Sequence, residues 1–180
     1  MTTKSSPLPL PEMHYPLFLD LAGQSVVVIG AGGVATRKVR SLLAVQARVT
    51  VISPEAKATI RRLARSQRVR WVRRPYRRGD LRGAPLVIAA TNDLAVNELV
   101  CADAKRLGVL VNCIAPPSAG NFIVPSLVRR GGISLAISTG GASPAFAKRL
   151  RRDLERFLGH GYPGLLKKMR ADRRVKKKVS

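Results

Sequence analysis

Short apolar runs alternate with segments of helical period through the first two thirds of the chain. Val26–Ile29 is a continuous apolar run, and Ala35, Val39, Leu42 and Leu43 follow it at helical spacing. Arg48–Ile52 alternates and is β-branched, which predicts a second strand. A basic helix over residues 54–66 and a short strand over 69–73 come next. Pro85–Ala90 is again unbroken apolar sequence, as expected of a strand buried on both faces of a parallel sheet. Thr91-Asn92-Asp93 supplies capping side chains for a helix over Leu94–Leu107, Gly108 closes it, and Val109–Cys113 is a fifth strand. The succession β-α-β-α-β-β-α-β predicts an α/β fold with a doubly wound, mostly parallel sheet.

After Cys113 the pattern changes. Ala115–Gly120 reads as a loop, and Phe122–Val124 and Ile133–Ile137 read as two strands joined through Gly131-Gly132. Ser143-Pro144 opens a helix with Ser as N-cap, an apolar stripe of Phe146, Leu150, Leu154 and Phe157, and a stop at Gly159. This β-β-α unit has too little apolar surface to stand alone and is expected to dock on the sheet domain or on a second copy of the chain. His14–Leu21 is expected to pack at the sheet edge, with His14 a packing or surface residue. Residues 1–12 read as a disordered Pro/Ser leader. The expected organisation is a sheet domain over 14–113, a β-β-α dimerisation unit over 114–158 and a basic tail over 159–180. That tail is expected to be mobile at its end.

One segment carries clear chemistry. Val26–Ile29 leads directly into Gly30-Ala31-Gly32-Gly33-Val34-Ala35, a G-x-G-x-x-A pattern between a strand and a helix. Gly30 permits the tight turn, Gly32 lets backbone approach a pyrophosphate, and Ala35 lets helix and strand pack closely. The helix start then offers free N–H groups and partial positive charge to phosphates. A Rossmann-like dinucleotide site is therefore expected. Ligands in such sheets lie at the carboxyl ends of the strands, here Gly30–Gly33, Ser53, Thr91–Asp93 and Asn112–Ala115. Ser53 stands where a ribose-binding carboxylate usually ends the second strand. Glu55 either reaches the ribose or sits in the first turn of the next helix, so the choice between NAD and NADP is weakly encoded.

Charge adds a second theme: 33 Lys+Arg against 10 Asp+Glu, a net +23. From Lys148 onward, 13 basic residues face three acidic ones. A nucleic-acid partner, a polyanionic small substrate and a merely solvated basic surface all fit this balance. Scarce aromatics, 4% of residues, argue against a base-stacking platform. Two cysteines, Cys101 and Cys113, make no disulfide framework and accompany no metal-ligand cluster, so no metal site is expected. No run of apolar residues is long enough to span a membrane, and the start lacks a signal-peptide core. A cytoplasmic enzyme is the expected class.

The ordered set Leu17–Leu21, VVIGAGGVATRK, VTVISPE, VIAATND with Asn97, VNCIAPPSAGNFIVPS and AISTGGASPAFAKRLR resembles the siroheme synthase N-terminal domain family. These are precorrin-2 dehydrogenases and sirohydrochlorin ferrochelatases. The likeness runs from about His14 to about Leu158, and the two later motifs are far more specific than the glycine loop. It implies NAD-dependent oxidation of precorrin-2 to sirohydrochlorin, in some members followed by ferrous iron insertion, and a homodimer joined by the segment after Cys113. By position it places Gly33-Val34 and Pro54-Glu55 against NAD. Two departures stand out. The family's functional aspartate, two residues past the position of Cys113, is here Ala115. Family members also usually continue through a longer C-terminal helical region.

The expected site therefore has Gly30, Gly32, Gly33, Val34, Ser53, Pro54, Glu55 and Thr91 at the cofactor. Asn112, Asn121, Ser126, Ser138, Thr139 and Gly140 orient the tetrapyrrole. Asp93 is the nearest alternative carboxylate to Ala115, although it reads better as a helix N-terminal charge. Chelatase activity is expected to be weak or absent. A non-catalytic NAD- or tetrapyrrole-binding protein is the second reading, and a nucleic-acid binder the third.

Overall fold

Val26–Ile29 lies at the centre of a five-stranded parallel sheet in the computed structural model, which describes residues 14–159 and 161–179. The elements run β1 (Ser25–Ile29), α1 (Gly33–Leu43), β2 (Arg48–Ile52), α2 (Ala58–Arg65), β3 (Arg70–Val72), β4 (Leu86–Ala89), α3 (Leu94–Arg106) and β5 (Leu110–Cys113). They continue as β6 (Ser126–Arg130), β7 (Ile133–Ile137), α4 (Pro144–Leu158) and α5 (Gly161–Val179). Strand order is β3-β2-β1-β4-β5, all parallel, the doubly wound arrangement expected from the sequence. The Pro/Ser leader over 1–12 lies outside the described residues.

Alternation along β1 builds two cores from one strand. Val26 and Val28 face Val39 of α1 and Ile60 of α2 in one cluster. Val27 and Ile29 face Val100 of α3 and Leu81 in the other. Each such side chain contributes about 1.5–3 kcal/mol by leaving water, which is why this sheet needs helices on both faces.

Residues fall into two compact units, one spanning Phe18–Val124 and the other made from Pro125 onward together with the segment ending at Leu17. Residues 114–124, expected with the second unit, thus stay with the sheet. The reason is hydrogen bonding: the N–H of Asn121 donates to the Val111 carbonyl at 2.9 Å, and Asn112 Nδ2 donates to the Phe122 carbonyl at 3.1 Å.

The same bonds correct the strand expected at Phe122–Val124. The paired strand is β6, antiparallel to β7, with Arg130 opposite Ile133 across Gly131 and Gly132. Both glycines have positive φ, 54° and 88°, the two-residue turn that matches strand twist. Counting back from that turn sets the register of β6. Helix α4 packs on β6, burying Ala147 and Leu158. Ser143 Oγ caps α4 by accepting the N–H of Phe146 at 3.1 Å.

Two further expectations change. Tyr15, Leu17, Phe18 and Leu19 are exposed, and from this segment only Leu21 packs against the sheet cluster. On α4 the stripe is half covered: Leu150 and Leu154 are partly buried, whereas Phe146 and Phe157 stay exposed at 57% and 68%. The tail continues as α5, its start held by Tyr162, whose ring lies 5.4 Å from that of Phe157.

Candidate functional site

The chain leaves β1 towards β2 on one side of the sheet and returns to β4 on the other, so a crevice opens at the carboxyl ends of β1 and β4. Gly30 sits in it with φ +100°. Its N–H donates to the Ile52 carbonyl at 2.9 Å, while the N–H of Ala90 donates to Ile29 at 2.8 Å. A Cβ on Gly30 would overlap the Ala90 carbonyl, so both conformation and space demand glycine here. Gly30→Ala is therefore expected to destabilise the fold by about 3 kcal/mol or more, read as a fall in the urea midpoint.

Gly32 differs. It is the N-cap of α1, with φ −76° and ψ −166°, and a Cβ there would meet nothing within 4 Å. No side chain caps α1, and its first turn holds no acidic residue. The Gly32 carbonyl is occupied by Thr36, whose N–H and Oγ1 donate at 3.0 and 2.8 Å. The space beside Gly32 is thus open, and the start of α1 has no side-chain cap. Gly33 is exposed and Val34 half-buried. A pyrophosphate fits this donor set.

Lys57 was not legible as a site residue. Its N–H donates to the Ala31 carbonyl at 3.2 Å, and its Nζ lies 3.4 Å from where a Gly33 Cβ would sit. The chain thus brings a cation to the phosphate cradle from the far side of β2. It also delays α2, which begins at Ala58 and not at Pro54. Glu55 is accordingly an exposed loop residue and not part of the helix's first turn. Ser53 is half-buried; its N–H donates to Val72 at 3.2 Å and its carbonyl accepts Trp71 Nε1 at 2.9 Å. Pro54 is exposed beside it.

Across the crevice, Thr91 and Asp93 end the loop after β4. Thr91 Oγ1 lies 2.8 Å from the Asp93 carbonyl and 2.9 Å from Asn97 Oδ1, and it accepts the N–H of Asp93 at 3.1 Å. The Asp93 carboxylate caps α3, accepting the N–H of Val96 at 3.2 Å. Asn97, fully buried, is the residue that organises this edge. Its Oδ1 accepts from Thr91 N–H at 3.0 Å, and its Nδ2 donates to the carbonyls of Thr91 and Ala115, both at 3.1 Å. One amide therefore braces the loops after β4 and β5. The spacing T-N-D-x-x-x-N was its visible signal; the brace itself appears only in three dimensions.

The tetrapyrrole candidates divide. Asn112 is buried with Oδ1 unpartnered among the described residues. Asn121 is spent on structure: Oδ1 accepts from Val111 at 2.7 Å and Nδ2 donates to Val109 at 3.1 Å, extending the edge of β5. In the second unit, Ser126 begins β6. Ser138 Oγ accepts the N–H of Gly140 at 3.2 Å, and Thr139 Oγ1 accepts that of Ser143 at 3.2 Å, which shapes the loop before α4. Cys113, at the end of β5, is buried against Cys101. Burial first, and the neighbouring Cys113 thiol second, push Cys101 up to about 12, leaving no reactive thiolate.

Sheet order, glycine turn and uncapped helix together define a dinucleotide-binding α/β protein of the Rossmann class. A family model for NAD(P)-binding matches residues 17–126, and one for the sirohaem biosynthesis protein central region matches residues 130–156. The chain belongs to the precorrin-2 dehydrogenase and siroheme synthase family. It is 30% identical to the precorrin-2 dehydrogenase of Bacillus subtilis over 161 residues, 89% of this chain and 99% of that protein. It is 40% identical to the siroheme synthase of Gluconacetobacter diazotrophicus over 163 residues, 88% of this chain but 35% of that protein. The chain thus spans about a third of the siroheme synthases it matches. Among solved structures, "SirC, precorrin-2 dehydrogenase" superposes with TM-score 0.72 at 35% identity, covering 86% of this chain and 76% of that one.

Proposed function

We propose that this protein oxidises precorrin-2 to sirohydrochlorin with NAD, in the formation of siroheme. The observation that carries the reading is the open, uncapped cradle at Gly32, set at the switch point of the sheet. When bound, the dinucleotide supplies a hydride acceptor. The chain's own part is placement: Gly32, Gly33 and Val34 hold the pyrophosphate, Lys57 neutralises it, and Ser53, Pro54 and Glu55 border the ribose. Thr91, fixed by Asn97, lines the opposite wall. Asn112 lies at the end of β5, its Oδ1 buried and unpartnered among the described residues. Within the second unit, Ser126, Ser138, Thr139 and Gly140 are the candidate polar contacts for the tetrapyrrole. The basic surface suits a substrate rich in carboxylates.

No carboxylate stands at residue 115, so this edge holds no base at the family's position. Oxidation extends the conjugation of the macrocycle, and placement against the hydride acceptor is sufficient for it; the accompanying proton leaves to solvent. Ferrous iron insertion, which requires pyrrole protons to be removed, is weak or absent. A homodimer is supported by the exposed Phe146, Phe157, Tyr162, Leu165 and Met169 of the second unit, which its own fold leaves uncovered. A cytoplasmic location is supported by two unbridged cysteines, and no described helix is long and apolar enough to cross a membrane.

Anaerobic incubation of the protein with precorrin-2, with and without NAD, tests the proposal. Reduced cofactor and sirohydrochlorin are expected to appear together, and only when protein and NAD are both present. Binding of both ligands without turnover above the uncatalysed rate would instead favour a non-catalytic binding protein.

A further inference from the structure

The ribose end of the cofactor site carries an unusual set of charges. In a Rossmann fold, the carboxylate ending the second strand binds the ribose 2′-hydroxyl of NAD, whereas an arginine nearby accommodates the 2′-phosphate of NADP. Here that strand ends in Ser53, whose N–H and carbonyl are both committed to the neighbouring strand. The Trp71 indole that donates to the Ser53 carbonyl is also the platform for Arg73, whose guanidinium carbon lies 5.9 Å from the ring centroid. Arg73 thus follows β3 directly, where that strand's end pairs with Ser53, and its exposed guanidinium lies over the indole.

The next arginine is not equivalent. Arg74 is locked to Asp80 through two bonds of 2.7 Å, and this hydrogen-bonded pair holds the Asp80 carboxyl below its usual range. Arg73 has no ion pair among the described residues, nor has Lys57 beside the phosphate cradle. Glu55 is the one carboxylate in the loop between β2 and α2, and it is exposed.

We propose that Arg73, stacked on Trp71 beside Ser53, forms a 2′-phosphate subsite, so that the protein binds NADP at least as tightly as NAD. The proposal rests on the dinucleotide reading above and names the cofactor's adenosine end. A planar guanidinium pre-oriented on an indole can pair bidentately with a phosphate while its face covers the adenine. Ser53 is small and uncharged, and leaves that phosphate unopposed.

The test uses the full chain and two probes that differ only in the phosphate, adenosine 2′,5′-bisphosphate and 5′-AMP. Affinities are read by calorimetry and by the emission of Trp71, the single tryptophan of the chain. The bisphosphate is expected to bind about tenfold tighter than 5′-AMP, the ordinary worth of one charge-assisted pair. Arg73→Ala should erase that advantage, Arg73→Lys should restore part of it, and Ser53→Asp should reverse it. Equal affinities, or an advantage that survives Arg73→Ala, would overturn the subsite while leaving NAD-dependent turnover untouched. Tighter binding of 5′-AMP that is lost in Glu55→Gln would assign the ribose to Glu55 and overturn it equally. Failure of both probes to bind would remove the subsite together with the dinucleotide reading.

Discussion

Gly32→Val is expected to abolish NAD binding in a protein that remains folded. Gly32 occupies an ordinary extended conformation that a β-branched residue adopts readily, and the space before it is open. A Cβ there meets no protein atom within 4 Å, and the branched side chain is expected to fill the volume a pyrophosphate needs and to screen the N–H groups of α1. Loss of affinity should exceed a hundredfold, about 3 kcal/mol. Stability should fall by only about 1 kcal/mol, because valine is a poorer N-cap than glycine. Gly30, two residues earlier, behaves in the opposite way, since its substitution breaks the turn itself. Calorimetric titration with NAD beside a denaturation curve separates the two. A folded Gly32→Val protein with unchanged affinity would move the dinucleotide site elsewhere.

Ala115→Asp is expected to create, or raise by at least about tenfold, the insertion of iron or cobalt into sirohydrochlorin. A carboxylate beside the macrocycle accepts pyrrole protons and briefly holds the incoming cation. Asn97 holds the Ala115 carbonyl at 3.1 Å, which anchors the backbone there, while the rigid Pro116-Pro117 pair decides whether an aspartate at 115 faces the cleft. Dehydrogenation should change by less than about threefold, since placement supplies most of its acceleration. Metal insertion followed by absorbance, with NAD turnover in parallel, decides the matter. A wild type that already inserts metal quickly would sink the idea and point to another group. Asp93 is the first to examine, although its carboxylate is occupied in capping α3.

Near neighbours along the chain carry most of the legible signal. The strand before the glycines, the helix after them and the Ser143 cap each arise from a few consecutive residues. The hairpin was misplaced because Phe122–Val124 has the composition of a strand, while its backbone is claimed by β5 through Asn112 and Asn121. Lys57 escaped, and Asn97 was legible as a motif residue without its role, for a related reason: both roles depend on partners from other elements, Gly33 for one and Thr91 and Ala115 for the other. The apolar residues at Tyr15–Leu19 and along α4 were legible as apolar. A periodic stripe, however, does not say whether this chain covers it, and here much of it stays exposed.

The brace at Asn97 grips residue 115 by its carbonyl and leaves the side chain out of the bond. A change of side chain at that position therefore leaves this anchor in place. The loop can thus exchange the chemistry it presents while keeping its attachment to α3, which is what lets Ala115→Asp probe the proposed reaction separately from the fold.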